Sequence, residues 1–363
     1  MKLNIIGNMF GSDGYSVHTR SLANAIDKLD NVEVSVTSNA PQNWIRLVND
    51  RELKMLKRNR EDCDTILMIG QPVHWKTYLS EGKKFIGFLV FEGDKIPKSW
   101  IDIINDKRVN QIWVPSIHVK NAILNTDGII DTSFKDKIHI VPHGVDLKLF
   151  YPNTKKHKEF TFLVDKGWRN NKDRGGTQYA IKAFMEEFNS KDKTRLLIKI
   201  NPSYGIPDVH KLIMDMKIKN KDLPKIDIIK ENLKFEDLNK VYNLGDVFVQ
   251  ATRAEAFGLG MIQAFATGLP VITTKFGGQT DFVEDKKNGF IIGGKMENVD
   301  HEVLYEGISW LTPDINELRK KMRWCYTNRD NLKNLKNNAL ETSKEFTWEI
   351  SAIKAQDALK LLD

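Results

Sequence analysis

Residues 255–272, EAFGLGMIQAFATGLPVI, combine a carboxylate, two glycines and a Gly-Leu-Pro turn. Glu255 follows an apolar run that predicts a buried strand, and Gly258 and Gly260 lie where a helix is predicted to begin. A carboxylate at such a position can accept hydrogen bonds from hydroxyl groups, and the free backbone N–H groups of a helix start can hold an anion. A helix-capping carboxylate beside a tight packing turn is the alternative interpretation.

A second stretch whose residue types could bind a ligand is DKGWRNNKDRGGTQYAIKAF (165–184). It follows a predicted strand and enters a predicted helix. Arg169, Lys172 and Arg174 cluster just before a Gly-Gly pair. Guanidinium groups bind phosphate oxygens in a bidentate manner and can stabilise the charge that develops on a departing diphosphate. A solvated basic loop is an equally open interpretation of the same residues.

A third stretch, GNMFGSDGYSVHTRSL (7–22), places Gly7, Gly11 and Gly14 between a strand and a helix. Glycines there let backbone N–H groups approach an anion, which the helix N-terminus also attracts. The spacing is neither the dinucleotide fingerprint nor a Lys-Ser/Thr phosphate loop. From the residues alone, an anion site and a flexible connecting loop are both open.

These stretches need parallel strands to bring them together, and the chain supplies the pattern for two parallel sheets. Near-continuous Ile/Val/Leu runs indicate strands buried on both faces, and helical patterns such as 17–29 and 177–188 separate them. Ligands of such sheets bind beyond the carboxyl ends of the strands. The predicted strands are 3–7, 32–38, 65–70, 85–90, 111–116, 138–144, 160–164, 195–200, 226–230, 247–251, 270–274 and 290–294.

Two series of strands and helices in tandem predict two domains. The boundary is predicted within the polar, basic stretch 146–160, so that residues 1–152 form the first domain and residues 153–346 the second. Residues 347–363 have an amphipathic helical pattern, and we expect this helix to pack back onto the first domain.

The stretch 255–272 resembles the signature of the retaining family 4 glycosyltransferases (GT4), in which seven residues separate two glutamates. The resemblance implies an α/β protein of the GT-B fold, with two Rossmann-like doubly wound parallel-sheet domains facing a central cleft. It covers nearly the whole chain, because other family-like segments follow in order. They are the glycine loop, FEGDKIPKSW (91–100), WVPS (113–116), IVPHGVD (140–146), the basic Gly-Gly stretch, FGGQTDFV (276–283) and NGF (288–290).

The resemblance also assigns roles. It implies that Glu255 contacts the donor sugar near the reacting carbon, and that Arg169 and Arg174 grip the donor diphosphate. Lys172 can replace either arginine, because one extra residue disturbs the register at the Gly-Gly pair. The positions implied in donor binding are Gly14, Lys172, Phe257, Gly258, Leu259 and Gln263.

The sequence departs from the family pattern at two positions. Gln263 stands where the second glutamate usually accepts hydrogen bonds from the ribose diol, and it loses a charge worth about 1–2 kcal/mol while it keeps one acceptor. Glu92 stands where many members carry a histidine near the acceptor. We expect Glu92 to contact an acceptor hydroxyl, with a solvated loop carboxylate as the alternative. His143, near the boundary, is interpreted as structural.

The resemblance implies a retaining glycosyltransferase that moves a sugar from a nucleotide-diphosphate sugar to an acceptor hydroxyl by a same-face displacement. A UDP-sugar such as UDP-glucose is the favoured donor. No cofactor and no metal are expected, since the Asp62–Asp64 triplet is interpreted as a solvated turn. The alternatives are a nucleotide-sugar-binding GT-B protein without transferase activity and a GT-B epimerase or phosphorylase.

Composition sets broader limits. The 363 residues carry a net charge of +7, which is compatible with an anionic or membrane-bound partner. No apolar run reaches the roughly 18–20 residues that span a bilayer. The two cysteines, Cys63 and Cys325, are far apart, so we expect a cytoplasmic protein, with peripheral association at the inner membrane surface as an option. The acceptor is open among a glycan, a lipid, a protein and a modified nucleic acid.

Overall fold

Two six-stranded parallel sheets form the framework of the chain, each within its own unit. The first unit contains Met1–Gly144, Val299–Ile308 and Phe346–Asp363, and the second contains Val145–Asn298 and Ser309–Glu345. The computed structural model describes residues 1–11, 13–39, 48–129, 132–153, 158–168, 170–200, 208–231, 233–299 and 302–362.

The described strands are assigned to the two sheets and one antiparallel hairpin, and all pairs within the two sheets are parallel. The first sheet has the order β2-β1-β3-β4-β5-β6, the second β12-β11-β10-β7-β8-β9, and β13 pairs with β14. The strands are β1 (Lys2–Gly7), β2 (Glu33–Ser38), β3 (Thr65–Ile69), β4 (Lys84–Phe88), β5 (Val109–Val114), β6 (Ile138–Ile140), β7 (Phe160–Asp165), β8 (Thr194–Lys199), β9 (Lys225–Ile229), β10 (Val247–Gln250), β11 (Val271–Thr274), β12 (Gly289–Ile292), β13 (Gly294–Asn298) and β14 (Ser309–Pro313).

Helices follow the strands, and several begin at side-chain caps. Asp13, Ser116 and Thr347 each accept a backbone N–H of the first turn, which satisfies donors that the helix itself leaves unpaired. The described α-helices are α1 (Gly14–Ile26), α2 (Asp50–Lys57), α3 (Ile101–Ile104), α4 (Ile117–Leu124), α5 (Thr177–Glu187), α6 (Val209–Asp215), α7 (Leu238–Tyr242), α8 (Leu259–Ala266), α9 (Ile315–Thr327), α10 (Leu332–Lys344) and α11 (Trp348–Lys360).

The prediction of an α/β fold with two doubly wound parallel sheets is confirmed, because each predicted run coincides with a strand of one of the two sheets. Central strands such as β3 and β10 are buried along their whole length, as their apolar sequences require. None of the described helices combines the length and the hydropathy that crossing a bilayer requires.

The last helix belongs to the first unit. α11 packs against α1, where the rings of His18 and Trp348 lie 6.0 Å apart. Two hydrogen bonds connect α11 to the first sheet and to the segment after β6. Gln111 Nε2 in β5 donates to the Ala358 carbonyl at 2.7 Å, and Ser351 Oγ donates to the Pro142 carbonyl at 2.6 Å.

The boundary lies eight residues before the predicted division at 152/153, since the second unit begins at Val145. Phe150 packs edge-on against Tyr242 at 5.6 Å, and the Tyr151 N–H donates to Asn239 Oδ1 at 3.1 Å. The residues after Gly144 therefore complete the core of the second unit and do not act as a free linker.

A second correction concerns Val299–Ile308, which the prediction included in the domain 153–346. This segment connects β13 to β14 but belongs to the first unit. Tyr305 stacks on Phe91 with ring centroids 5.4 Å apart, and its hydroxyl donates to Glu92 Oε2 at 3.0 Å. Burial of this aromatic pair explains why the segment packs with the first unit and not with the β13–β14 hairpin whose strands it connects.

Candidate functional site

The strand order of the second unit creates the place where a ligand is expected. The order reverses between β7 and β10, which are neighbours in the sheet although two strands and their helices separate them in the chain. Ligands of doubly wound sheets bind at such a point, beyond the carboxyl ends of the strands. The loops that follow β7 and β10 carry Lys166, Arg174 and Glu255.

The Glu255 carboxylate is the centre of this site. Lys166 Nζ lies 2.6 Å from Glu255 Oε2, and Gln250 Nε2 donates to the same oxygen at 2.9 Å. Arg174 Nη1 lies 3.9 Å from it. Glu255 is only 8% exposed, yet no described residue donates a hydrogen bond to its Oε1 atom. One carboxylate oxygen is therefore bound by the protein, and the other is available to a ligand.

The neighbours of Glu255 stabilise its ionised carboxylate. Burial by itself favours the neutral carboxyl group, but the positive charges of Lys166 and Arg174, together with the hydrogen bond from Gln250, keep the pKa of Glu255 below its ordinary value. Glu255 is consequently ionised at neutral pH, and the site holds two cations and one anion in a buried setting.

The β7–α5 loop is held against the residues that follow β10 by a backbone and a side-chain hydrogen bond. The Arg174 carbonyl accepts the Arg253 N–H at 2.9 Å, and Arg174 Nη1 donates to the Ala254 carbonyl at 2.7 Å. Gly176, at φ 84°, approaches so closely that an added Cβ would lie 1.9 Å from the Ala251 carbonyl oxygen. The second glycine of the Gly-Gly pair is therefore needed for this close approach, which brings the basic loop to Glu255.

Glu255 is fixed from its other side by the FGGQTDFV segment and by the start of α8. The Gly278 N–H donates to the Glu255 carbonyl at 2.7 Å. Gly258 caps α8 at φ 108°, a left-handed conformation that favours glycine. Phe257 is buried and packs on Phe282 with ring centroids 5.2 Å apart, and Gly258 and Leu259 follow it at the start of α8. The first N–H groups of α8 lack acceptors within the helix and can therefore bind an anion.

Gln263 is anchored in a second, buried group of polar side chains. The Tyr242 hydroxyl lies 3.2 Å from Gln263 Oε1 and 3.0 Å from Asp165 Oδ2. Burial raises the pKa of Asp165, and the charge of the nearby Lys199 opposes this rise only in part. Gln263 Nε2 has no hydrogen-bond partner among the described residues. The amide therefore presents a donor where the resemblance implies an acceptor carboxylate.

The structure places some of the predicted basic residues at Glu255 and not others. Arg174 lies there, whereas Lys172 is exposed in the same loop, where its N–H donates to Asn170 Oδ1 at 2.8 Å. Arg169 lies outside the described residues. Lys166 was missed, although a signal existed, since it is the first residue after β7 and thus lies at the carboxyl edge of a parallel sheet.

The remaining predicted residues lie in the first unit. Gly14 is the first residue of α1, whose N-terminus already has an anionic cap: Asp13 Oδ1 accepts the N–H groups of Tyr15 and Ser16 at 3.0 and 3.1 Å. Glu92 is half-buried and accepts the Tyr305 hydroxyl described above. Glu92 is thus tethered by an aromatic side chain and is not the fully solvated carboxylate of the alternative interpretation.

No group of three or more His, Cys, Asp and Glu side chains with the geometry of a metal site occurs in the described part of the chain. The polar atoms gathered around Glu255 are instead ammonium, guanidinium, amide and carboxylate groups. Such a set can bind an anion and orient hydroxyl groups.

Known proteins share this architecture and part of this sequence. Residues 214–324 match the family described as "Glycosyl transferases group 1". The chain is 28% identical over 209 residues to the alpha-monoglucosyldiacylglycerol synthase of Acholeplasma laidlawii, which covers 53% of this chain. The chain spans 50% of that relative's length.

Solved structures extend the likeness to the whole fold. A glycosyltransferase from Rickettsia africae has a TM-score of 0.74 and 18% identity, covering 99% of this chain and 98% of its own. Anabaena Alr3699/HepE in complex with UDP and glucose has a TM-score of 0.71 and 14% identity, covering 99% of this chain and all of its own. With the two parallel sheets, these findings show the GT-B fold. Residues 214–324 resemble the group 1 glycosyltransferases.

Proposed function

We propose that the chain is a retaining glycosyltransferase that uses UDP-glucose, needs no metal ion and transfers glucose to an acceptor hydroxyl. The observation that carries the proposal is the buried, ionised Glu255 between Lys166 and Arg174 at the start of α8. The cations and helix N–H groups suit the diphosphate, and the available Glu255 oxygen suits a hydroxyl of the sugar. The name of the Acholeplasma relative and the ligands of the Anabaena structure support glucose and UDP.

The proposed step is a displacement on one face of the sugar. The bond between the sugar C1 atom and the phosphate oxygen breaks while the acceptor oxygen bonds to C1 from the same side. The acceptor proton passes to the departing phosphate oxygen, so the products are UDP and the glycosylated acceptor. Lys166 and Arg174 stabilise the charge that accumulates on the diphosphate, and Glu255 orients the sugar.

Slow hydrolysis of the donor provides a test that needs no knowledge of the acceptor. Water replaces the acceptor, and proton NMR during the first minutes reports which anomer of glucose is released from UDP-glucose in the presence of EDTA. We expect α-glucose first. Early β-glucose would exclude retention, and a complete loss of turnover on EDTA addition would exclude metal independence.

The variant Glu255→Gln tests the role of the carboxylate charge, because it keeps the shape of the side chain and removes its charge. We expect UDP release to fall about 100- to 1,000-fold, as for the loss of one preorganised electrostatic contact in other enzymes. A protein that binds UDP-glucose but releases no UDP with any acceptor class would be a binding protein. An epimerase would change the sugar without releasing UDP, and the same spectra would show it.

A further inference from the structure

The second unit contains a large cavity that the proposed function does not use. Its volume is about 840 Å³, and it lies between the turn that precedes β12 and the helices α9 and α10. None of its lining residues belongs to the Glu255 site. We call this cavity the α9–α10 groove. Its size is in the range of sites that hold small organic ligands, which are roughly 300–1,000 Å³.

An exposed tryptophan lines the α9–α10 groove. Trp324 is 39% exposed, whereas every other described tryptophan is at most 7% exposed. Phe290 supports it edge-on with ring centroids 5.0 Å apart, and Lys321 Nζ lies 5.0 Å from the Phe290 ring. A rigid, half-exposed ring in a concave setting provides an apolar surface on which a flat ligand face can pack.

Carboxamide groups line the same groove. The side chains of Asn316, Asn331 and Asn334 line the groove and have no hydrogen-bond partner among the described residues. Asn338, by contrast, is held in place because its Nδ2 atom donates to the Lys287 carbonyl at 2.7 Å. Each carboxamide offers both a donor and an acceptor, which matches the adjacent hydroxyl groups of a sugar.

The groove also has an uncompensated positive charge. The two acidic lining residues are already engaged, since Asp314 caps α9 and Glu317 Oε2 accepts the Gly293 N–H at 2.7 Å. Lys286 and Lys320 line the groove without an acidic partner among the described residues. Two ammonium groups are thus available to negatively charged groups of a ligand.

We propose that the α9–α10 groove is a second carbohydrate site that binds an anionic oligosaccharide, a chain of sugar rings that bears carboxylate groups. Trp324 packs against one sugar ring, the asparagines hydrogen-bond to its hydroxyl groups, and Lys286 and Lys320 pair with its carboxylates. A single-stranded nucleic acid fits less well, because its bases stack on successive aromatic side chains and the groove exposes one. The site is independent of sugar transfer and would retain a glycan chain near the protein.

Isothermal titration with tetragalacturonate tests the proposal on the full chain, and maltotetraose serves as the neutral comparison. We expect tetragalacturonate to bind, maltotetraose to bind at least about tenfold more weakly, and added salt to weaken the binding. Trp324→Ala and Lys320→Glu should each lower the affinity about tenfold or more. Lys354→Glu, the same charge change at an exposed position of α11, should leave the affinity within about twofold.

A further variant separates ligand binding from folding. Lys286 has φ 62°, a left-handed conformation that is unfavourable for a lysine, so Lys286→Gly should keep or raise the melting temperature while it lowers the affinity. The proposal is overturned if tetragalacturonate does not bind at millimolar concentration, or if the groove variants and Lys354→Glu bind equally. Equal binding of maltotetraose, or tighter binding of a single-stranded DNA, would overturn the anionic-glycan assignment as well.

Discussion

The sharpest prediction compares two lysines of one loop. Lys166 contacts the buried carboxylate of Glu255 at 2.6 Å, whereas Lys172 is exposed six residues later. If Lys166 also binds the donor diphosphate, Lys166→Ala removes a charge-assisted hydrogen bond worth about 1.5–3 kcal/mol. This loss corresponds to an affinity for UDP-glucose that is about 10- to 150-fold lower. Lys172→Ala should change the affinity by about threefold or less, since an exposed ion contact contributes roughly 0–1 kcal/mol.

Titration calorimetry with UDP-glucose measures this difference, and urea unfolding of the free variants provides a second readout. Lys166→Ala leaves Glu255 with Gln250 and the more distant Arg174, so we expect a loss of about 1–3 kcal/mol in unfolding free energy. Adding Glu255→Gln should recover part of this loss, because the double variant no longer buries a carboxylate that has lost its ammonium partner. Equal affinities for the Lys166→Ala and Lys172→Ala variants would refute the assignment of Lys166 to the donor site.

Three further predictions follow from the same unit and from α1. Gln263→Glu should lower the unfolding free energy by about 2 kcal/mol at pH 7, because two carboxylates would then share the Tyr242 hydroxyl. Adding Asp165→Asn should restore most of this loss, and urea unfolding measures both changes. Gly176→Ala should cost about 3 kcal/mol or more and abolish UDP-glucose binding, while an unchanged melting curve would contradict the close approach to β10. Burial, aided by the charge of His143, lowers the pKa of His18. The folded state disfavours a protonated His18, so the contribution of neutral His18 to stability is complete above about pH 6.5 and is lost as pH falls. His18→Phe should therefore flatten the decline of the melting temperature below that pH. An unchanged slope would contradict this.

The sheets could be predicted from the sequence because central strands such as β3 and β10 are buried along their whole length and consist of nearly unbroken apolar runs. The hairpin could not, since β13 has the sequence GKMEN and is exposed at all five residues. A predicted strand at 290–294 ran across the junction, where β12 ends at Ile292 and β13 begins at Gly294. The position of Val299–Ile308 depends on the stacking of Tyr305 and Phe91, and local patterns do not contain such a distant contact.

For the site, the sequence led to Glu255 and Arg174 through the resemblance of their motifs to the GT4 pattern, and the structure brings the two side chains within 3.9 Å of each other. Lys166 looked like any lysine at the end of a strand. Its importance depends on a carboxylate that is 89 positions away in the chain, and only the pairing of β7 with β10 brings the two together. The family pattern likewise identified the change at Gln263, but its neighbours Asp165 and Tyr242 come from two other elements.

The packing of α11 has a consequence for biosynthesis. Gln111 forms its buried hydrogen bond with Ala358, 247 positions later in the chain. At roughly 5–20 residues per second, the ribosome needs about 12–50 s to synthesise the sequence between these partners. During most of this time the nascent first sheet lacks both α11 and Val299–Ile308. The first half to be translated is therefore the last to complete its fold, and its apolar surface is the part of the nascent chain most in need of a chaperone.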